Sequence, residues 1–145
     1  MAFRRSAVLD AGGFTQGIGR SGSVPLGCEE TELAIRASAR TGGEIVQLPR
    51  CVVEHRVPPW RTSFVYFRRR CYAEGLSKAL VARYVGSDRA LASERGYVAR
   101  TLPRGVVRSL GEALGGDAHA LLRAGAMVVG LLITAAGYVR GRLPR

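Results

Sequence analysis

Lysine is nearly missing from this chain. Lys78 stands alone, so arginine carries almost all of the formal charge of +11 at pH 7. Cysteine occurs three times, at Cys28, Cys51 and Cys71, and never as a Cys-x-x-Cys pair. That spacing excludes a zinc finger or ribbon, and the odd number argues against a disulfide framework, so a reducing cytosolic setting is expected. No internal repeat is visible, which sets aside solenoids and propellers. The run after Met1-Ala2-Phe3-Arg4-Arg5 is too short for a secretory signal, and Asp10 interrupts it.

What is present suits one folded domain. A chain of 145 residues with 47% hydrophobic residues can hold one core, and that composition excludes low-complexity disorder. Its positive charge favours anionic partners: nucleotide phosphates, acidic lipid head groups or nucleic acid. The arginines are scattered rather than gathered in one arm. An anionic membrane surface or substrate fits that scatter at least as well as a nucleic-acid footprint does. A merely solvated, arginine-rich surface is the plain alternative.

Along the chain, residues 4–11 read as a short helix stopped by Gly12-Gly13. Residues 14–27 are glycine-rich, contain Pro25 and lack apolar periodicity, which marks a long loop. Residues 29–41 read as a second helix, with Glu29, Glu30 and Glu32 at the positive end of its dipole and Gly42-Gly43 closing it. Residues 44–48 and 51–55 are β-prone runs separated by Pro49, expected as short strands. The spacing predicts a helix over residues 62–84, with Phe64, Phe67, Cys71, Gly75 and Ala79 close to one face and an i,i+4 pair of Glu74 and Lys78. Two more helices are expected over residues 93–102 and 104–114. Residues 124–139 carry no charge, and the apolar run extends back to Leu121 if Arg123 snorkels. This segment, 121–139, reads either as a membrane-embedded helix or as a buried core helix.

Several motifs carry chemistry, each with a plainer alternative. Gly17-Ile18-Gly19-Arg20-Ser21-Gly22 spells G-x-G-x-x-G, but no strand precedes it and Pro25 obstructs a following helix, so the dinucleotide reading is rejected. Cys28-Glu29-Glu30-Thr31-Glu32-Leu33 crowds three carboxylates into one helical turn. They can simply stabilise the dipole. A carboxylate held there beside a cleft can also accept a proton from a hydroxyl nucleophile. Arg68-Arg69-Arg70 could meet phosphates or anionic lipid, but helical geometry points the three in different directions. Trp60, after Pro58-Pro59, suits a hydrophobic lid better than a sugar-stacking platform.

Three landmarks in order give a resemblance: Met1-Ala2-Phe3-Arg4-Arg5-Ser6 leading to Gly12-Gly13-Phe14, the Glu-Glu-x-Glu-Leu segment with Arg36 and Gly42-Gly43 behind it, and Val53-Glu54-His55-Arg56-Val57-Pro58 before an arginine-rich helix. Together they resemble the second half of a family 2, GT-A-type glycosyltransferase, over roughly the first 80 residues. The resemblance implies an α/β fold: a truncated, Rossmann-like acceptor-side portion over residues 1–85, then a helical, partly apolar region over 86–145. It places the general base on Glu30 with Glu29 as supporting acid, although the family prefers Asp at the base position. It makes His55 a candidate ligand of Mg2+ or Mn2+, and Arg68 and Arg69 candidates for the donor phosphates. It implies a nucleotide-sugar donor, a polysaccharide or lipid-linked acceptor, and the cytoplasmic face of a membrane, with no nucleic acid.

The family's donor site uses an Asp-x-Asp motif on an upstream strand to hold the metal. No Asp-x-Asp occurs here. The resemblance therefore implies a truncated transferase, inactive without a separate N-terminal half. The rival is a small basic, non-enzymatic protein that binds membranes or nucleic acid with a steep salt dependence.

Overall fold

In the computed structural model the described residues are 1–20 and 25–144, with Ser93 described by its main chain only. Helix α1 spans Arg5–Asp10, α2 Glu29–Thr41, α3 Phe64–Val85, α4 Ser87–Ala90, α5 Ala92–Gly96, α6 Leu102–Leu114 and α7 Ala118–Arg142. A 3-10 turn, Pro59–Thr62, leads into α3, and a π turn, Tyr97–Thr101, joins α5 to α6.

The helix ends follow local chemistry. After α1 the amides of Gly12 and Gly13 return to the carbonyls of Leu9 and Val8, each at 2.9 Å, with both glycines in the left-handed region. Gly42, at φ +66°, closes α2 in the same region. The Ser63 hydroxyl accepts the Tyr66 amide at 3.2 Å to cap α3, and Asp117 caps α7 through the His119 amide at 3.0 Å. Apolar packing is divided between two small clusters. Ala11, Leu33 and Ala37 join α1 to α2, while Val81, Ala82 and Ala90 gather Cys28, Ile35 and Tyr138 around the end of α3.

The principal packing is α3 along α7. A Cβ placed on Gly75 would lie 2.1 Å from the Thr134 carbonyl oxygen, and one on Gly137 would lie 2.3 Å from that of Tyr72. Cβ atoms on Gly130 and Gly141 would lie 2.9 Å from Phe67 Cζ and 2.6 Å from Ala79 Cβ. The contacts run in the same order on both helices, so α3 and α7 are parallel and their backbones touch. This is the geometry of small-residue helix pairs, in which a missing side chain lets the two main chains approach. The face expected from the spacing of Phe67, Cys71, Gly75 and Ala79 is the one α7 occupies.

The α/β expectation is overturned. Among the described residues there is no strand, so neither a sheet nor a Rossmann-like half is present. Residues 44–48 and 51–55 form no regular secondary structure, and their one main-chain hydrogen bond among the described residues joins Cys51 N to Leu48 O across a turn. Ile45, Val46, Leu48, Val52 and Val53 are all exposed. β-propensity measures how well a residue packs on a pleated, half-buried surface, and nothing in these residues supplies a neighbouring strand to build one. The short helix expected over residues 93–102 is also broken, into α5 and the π turn.

The α3–α7 contact gives two substitutions of opposite sign. Gly75→Val is expected to lower stability by about 3 kcal/mol or more, because overpacking here meets main chain that cannot move aside. Gly125→Ala on α7, where an added Cβ meets nothing within 4 Å, is expected to be neutral or to stabilise by up to ~1 kcal/mol. Urea unfolding followed by circular dichroism measures both, and equal effects would contradict the packing described.

Candidate functional site

The entrance of α2 is where the sequence concentrates its acids, and the structure gives each one a different role. Cys28, immediately before the helix, has φ +72°, a left-handed conformation uncommon for a residue with a side chain. Bonds to α3 hold the chain there. The Gly27 amide donates to the buried Ser77 hydroxyl at 3.0 Å, Arg70 Nη1 donates to the Pro25 carbonyl at 2.8 Å, and the Cys28 thiol donates to Glu74 Oε1 at 3.3 Å. Burial and the neighbouring Glu74 carboxylate push that thiol up to about 12.

Glu32 is fully buried and structural. Its carboxylate is gripped by the Arg36 Nε and Nη2 groups and accepts the Thr15 hydroxyl at 3.1 Å. Arg36 also donates to the carbonyl of Ala11 and, at 2.7 Å, to that of Gly13, so one side chain caps the end of α1 and neutralises Glu32. Its hydrogen bonds to the Glu32 carboxylate raise the Arg36 pKa above its usual range. Glu29 turns toward the loop, where a Cβ on Gly19 would lie 3.1 Å from its carboxyl carbon. Its Oε2 is buried with no hydrogen-bond partner among the described residues, an arrangement that demands an explanation in a folded protein. Glu30 is exposed.

Beneath this entrance a ladder of charge runs along α3. Arg70 Nη2 lies 2.9 Å from Glu74 Oε2, Lys78 Nζ lies 3.4 Å from Glu74 Oε1, and Lys78 also pairs with Glu94 of α5. The sequence reading noted Glu74–Lys78 but missed that Arg70–Glu74 and Glu32–Arg36 share the same i,i+4 spacing, the one signal that could have found them. Arg68 and Arg69 line an open cavity of about 860 Å3 with Pro25, Tyr72, Leu76 and Ile133.

His55 is exposed, and no hydrogen bond or ion pair joins it to Glu29 or Glu30. Among the described residues no group of three His, Cys, Asp or Glu side chains could hold a metal ion. Trp60 is exposed rather than a core lid, edge-on to Tyr66 at 5.0 Å with the Arg61 guanidinium 5.1 Å over its ring. Of the G-x-G-x-x-G string, Ser21 and Gly22 lie outside the described residues, as do Ser23 and Val24 of the same loop.

Known proteins give one relationship. The chain is 27% identical over 81 residues to the glucosyl-dolichyl phosphate glucuronosyltransferase of Haloferax volcanii. It is related to a glycosyltransferase. The similar segment is 56% of this chain and 26% of that enzyme, so the chain spans about a quarter of its relative's length. No protein-family profile and no solved structure matches the chain.

Two measurements test the entrance. Arg36→Ala is expected to cost about 3 kcal/mol in urea unfolding, because it strands the buried Glu32 charge and frees the end of α1. With the protein folded at pH 8, exposed Cys51 is expected to react with iodoacetamide at least ~100-fold faster than Cys28, whose thiolate is scarce at that pH. Equal labelling rates, read by peptide mass spectrometry, would contradict the burial of Cys28 against Glu74.

Proposed function

We propose that this chain is the acceptor-side part of an inverting, family 2-type glycosyltransferase that builds a lipid-linked glycan or polysaccharide at the cytoplasmic face of a membrane. The observation that carries the reading is the 81-residue similarity to an enzyme named for a sugar-bearing dolichyl phosphate. Helix α7 supports the lipid-linked acceptor: at 25 residues, with an 18-residue stretch of mean hydropathy 1.8, it is long and apolar enough to cross a membrane.

In this reading Glu30, solvent-accessible at the α2 entrance, takes the proton from the acceptor hydroxyl. The freed oxygen attacks the anomeric carbon of the nucleotide sugar, the bond to the nucleoside diphosphate breaks, and the configuration at that carbon inverts. Glu29 supports the entrance from the Gly19 side. Arg68 and Arg69 offer guanidinium groups to the phosphates of donor or lipid. His55 contributes at most one ligand to a divalent ion whose other ligands come from outside the described residues. A donor-binding half carrying the Asp-x-Asp motif completes the site.

A second reading has one observation in its favour. The exposed apolar face of α7 also suits a basic, non-enzymatic membrane protein.

Deleting the gene in its host and profiling the lipid-linked glycans decides between them. The transferase reading expects the loss of one sugar from those glycans, restored by the wild-type gene. With Glu30→Gln, restoration is expected to fall by ~10²-fold or more. An unchanged glycan profile in the deletion strain would favour the non-enzymatic reading, and full restoration by Glu30→Gln would remove Glu30 from the mechanism.

A further inference from the structure

Helix α7 presents two opposite stripes. One, formed by Gly130, Thr134, Gly137 and Gly141, is covered by α3. At 100° per residue, Leu121, Val128, Leu132 and Val139 fall on the far side, and all four are exposed. Only 22% of the apolar window of α7 is buried, so among the described residues it is not the core helix that a soluble fold would make of it. An apolar stripe of this length left bare marks an interaction surface.

The neighbour on the covered side constrains how α7 can meet a bilayer. Phe67 packs at Gly130, near the middle of α7, so the charged stretch of α3 from Arg68 to Lys78 runs beside residues 130–141. Arg68 and Arg69 share a cavity wall with Ile133. If α7 crossed the bilayer with α3 attached, these arginines, Glu74 and Lys78 would lie at hydrocarbon depth, which is costly for every one of them. Lying in the membrane plane removes the conflict. The Leu121–Val139 stripe then enters the hydrocarbon while α3 rides above it at head-group level. The positive charge suits an anionic surface, with Arg68 and Arg69 on the flank and Arg140 and Arg142 ending the helix. Trp60, Tyr66 and Tyr72 sit on or just before α3, at the level where such side chains anchor.

We infer that the chain is monotopic: α7 lies in the plane of an anionic bilayer with its Leu121–Val128–Leu132–Val139 stripe immersed, and does not cross it. The inference rests on the α3–α7 pair and not on sugar transfer, so each can fail without the other.

The test uses the full chain in sealed membrane vesicles, with single cysteines on a cysteine-free background at Leu114→Cys, before α7, and Leu143→Cys, after it. Both are expected to react with a membrane-impermeant maleimide from the same side. Labelling from opposite sides would overturn the proposal. Flotation with phosphatidylglycerol-containing vesicles is the second measurement. Leu132→Glu, at an exposed position, is expected to leave the helical circular dichroism unchanged and to lower vesicle binding about tenfold or more. Binding unaffected by both Leu132→Glu and Val128→Glu would remove the stripe from the contact.

Discussion

The approach of two backbones at Gly75 and Gly137 is the constraint on which the rest of this fold depends. With a carbonyl where each Cβ would be, α3 and α7 can meet only because neither position has a side chain. That contact sets α3 parallel to α7, leaves the far stripe of α7 bare, and turns Arg70, Glu74 and Lys78 toward α2 and α5. The large side chains that usually make a core are scarce inside: the fully buried apolar residues are mostly alanines. Close helix approach therefore replaces interdigitated bulk as the means of packing, as small residues do where helices pair among lipids.

The acidic entrance of α2 depends on this frame. Ser77, Arg70 and Glu74 come from α3, and they fix Gly27, Pro25 and Cys28, which begin the helix. Glu32 and Arg36 fasten the same helix to α1 from the other side. Between these two anchors, Glu29 has a buried oxygen against Gly19 and Glu30 is open to solvent. The chain spans about a quarter of its transferase relative.

Helices were legible in the sequence because their signals are local. Three glutamates at one end and Gly42 at the other bounded α2 at the observed residues, and of the face expected from Phe64, Phe67, Cys71, Gly75 and Ala79 all but the exposed Phe64 lie toward α7. The strands over residues 44–48 and 51–55 were misread because β-prone composition describes a segment that suits a sheet, while a strand exists only where another lies beside it. At the site, the sequence marked the carboxylates but could not tell that Glu32 is buried and paired while Glu30 is open, since that depends on where α1 and the Gly12-Gly13 turn fold back. The network of Cys28, Arg70 and Glu94 joins residues far apart in sequence, and no spacing rule reaches across such distances.

The central claim is that α3 stays packed along one side of α7 when the chain is at a membrane. Thr134 lies against the Cys71 thiol across that contact. In a chain keeping Cys71 but with Cys28 and Cys51 changed to serine, Thr134→Cys places a second thiol opposite the first. Mild oxidation in phosphatidylglycerol-containing vesicles is expected to join the two helices in near-quantitative yield, read as an intact-mass loss of two hydrogens and a peptide linking residues 71 and 134. Two free thiols after oxidation, both open to alkylation, would show that α3 leaves α7 at the bilayer and would contradict the account.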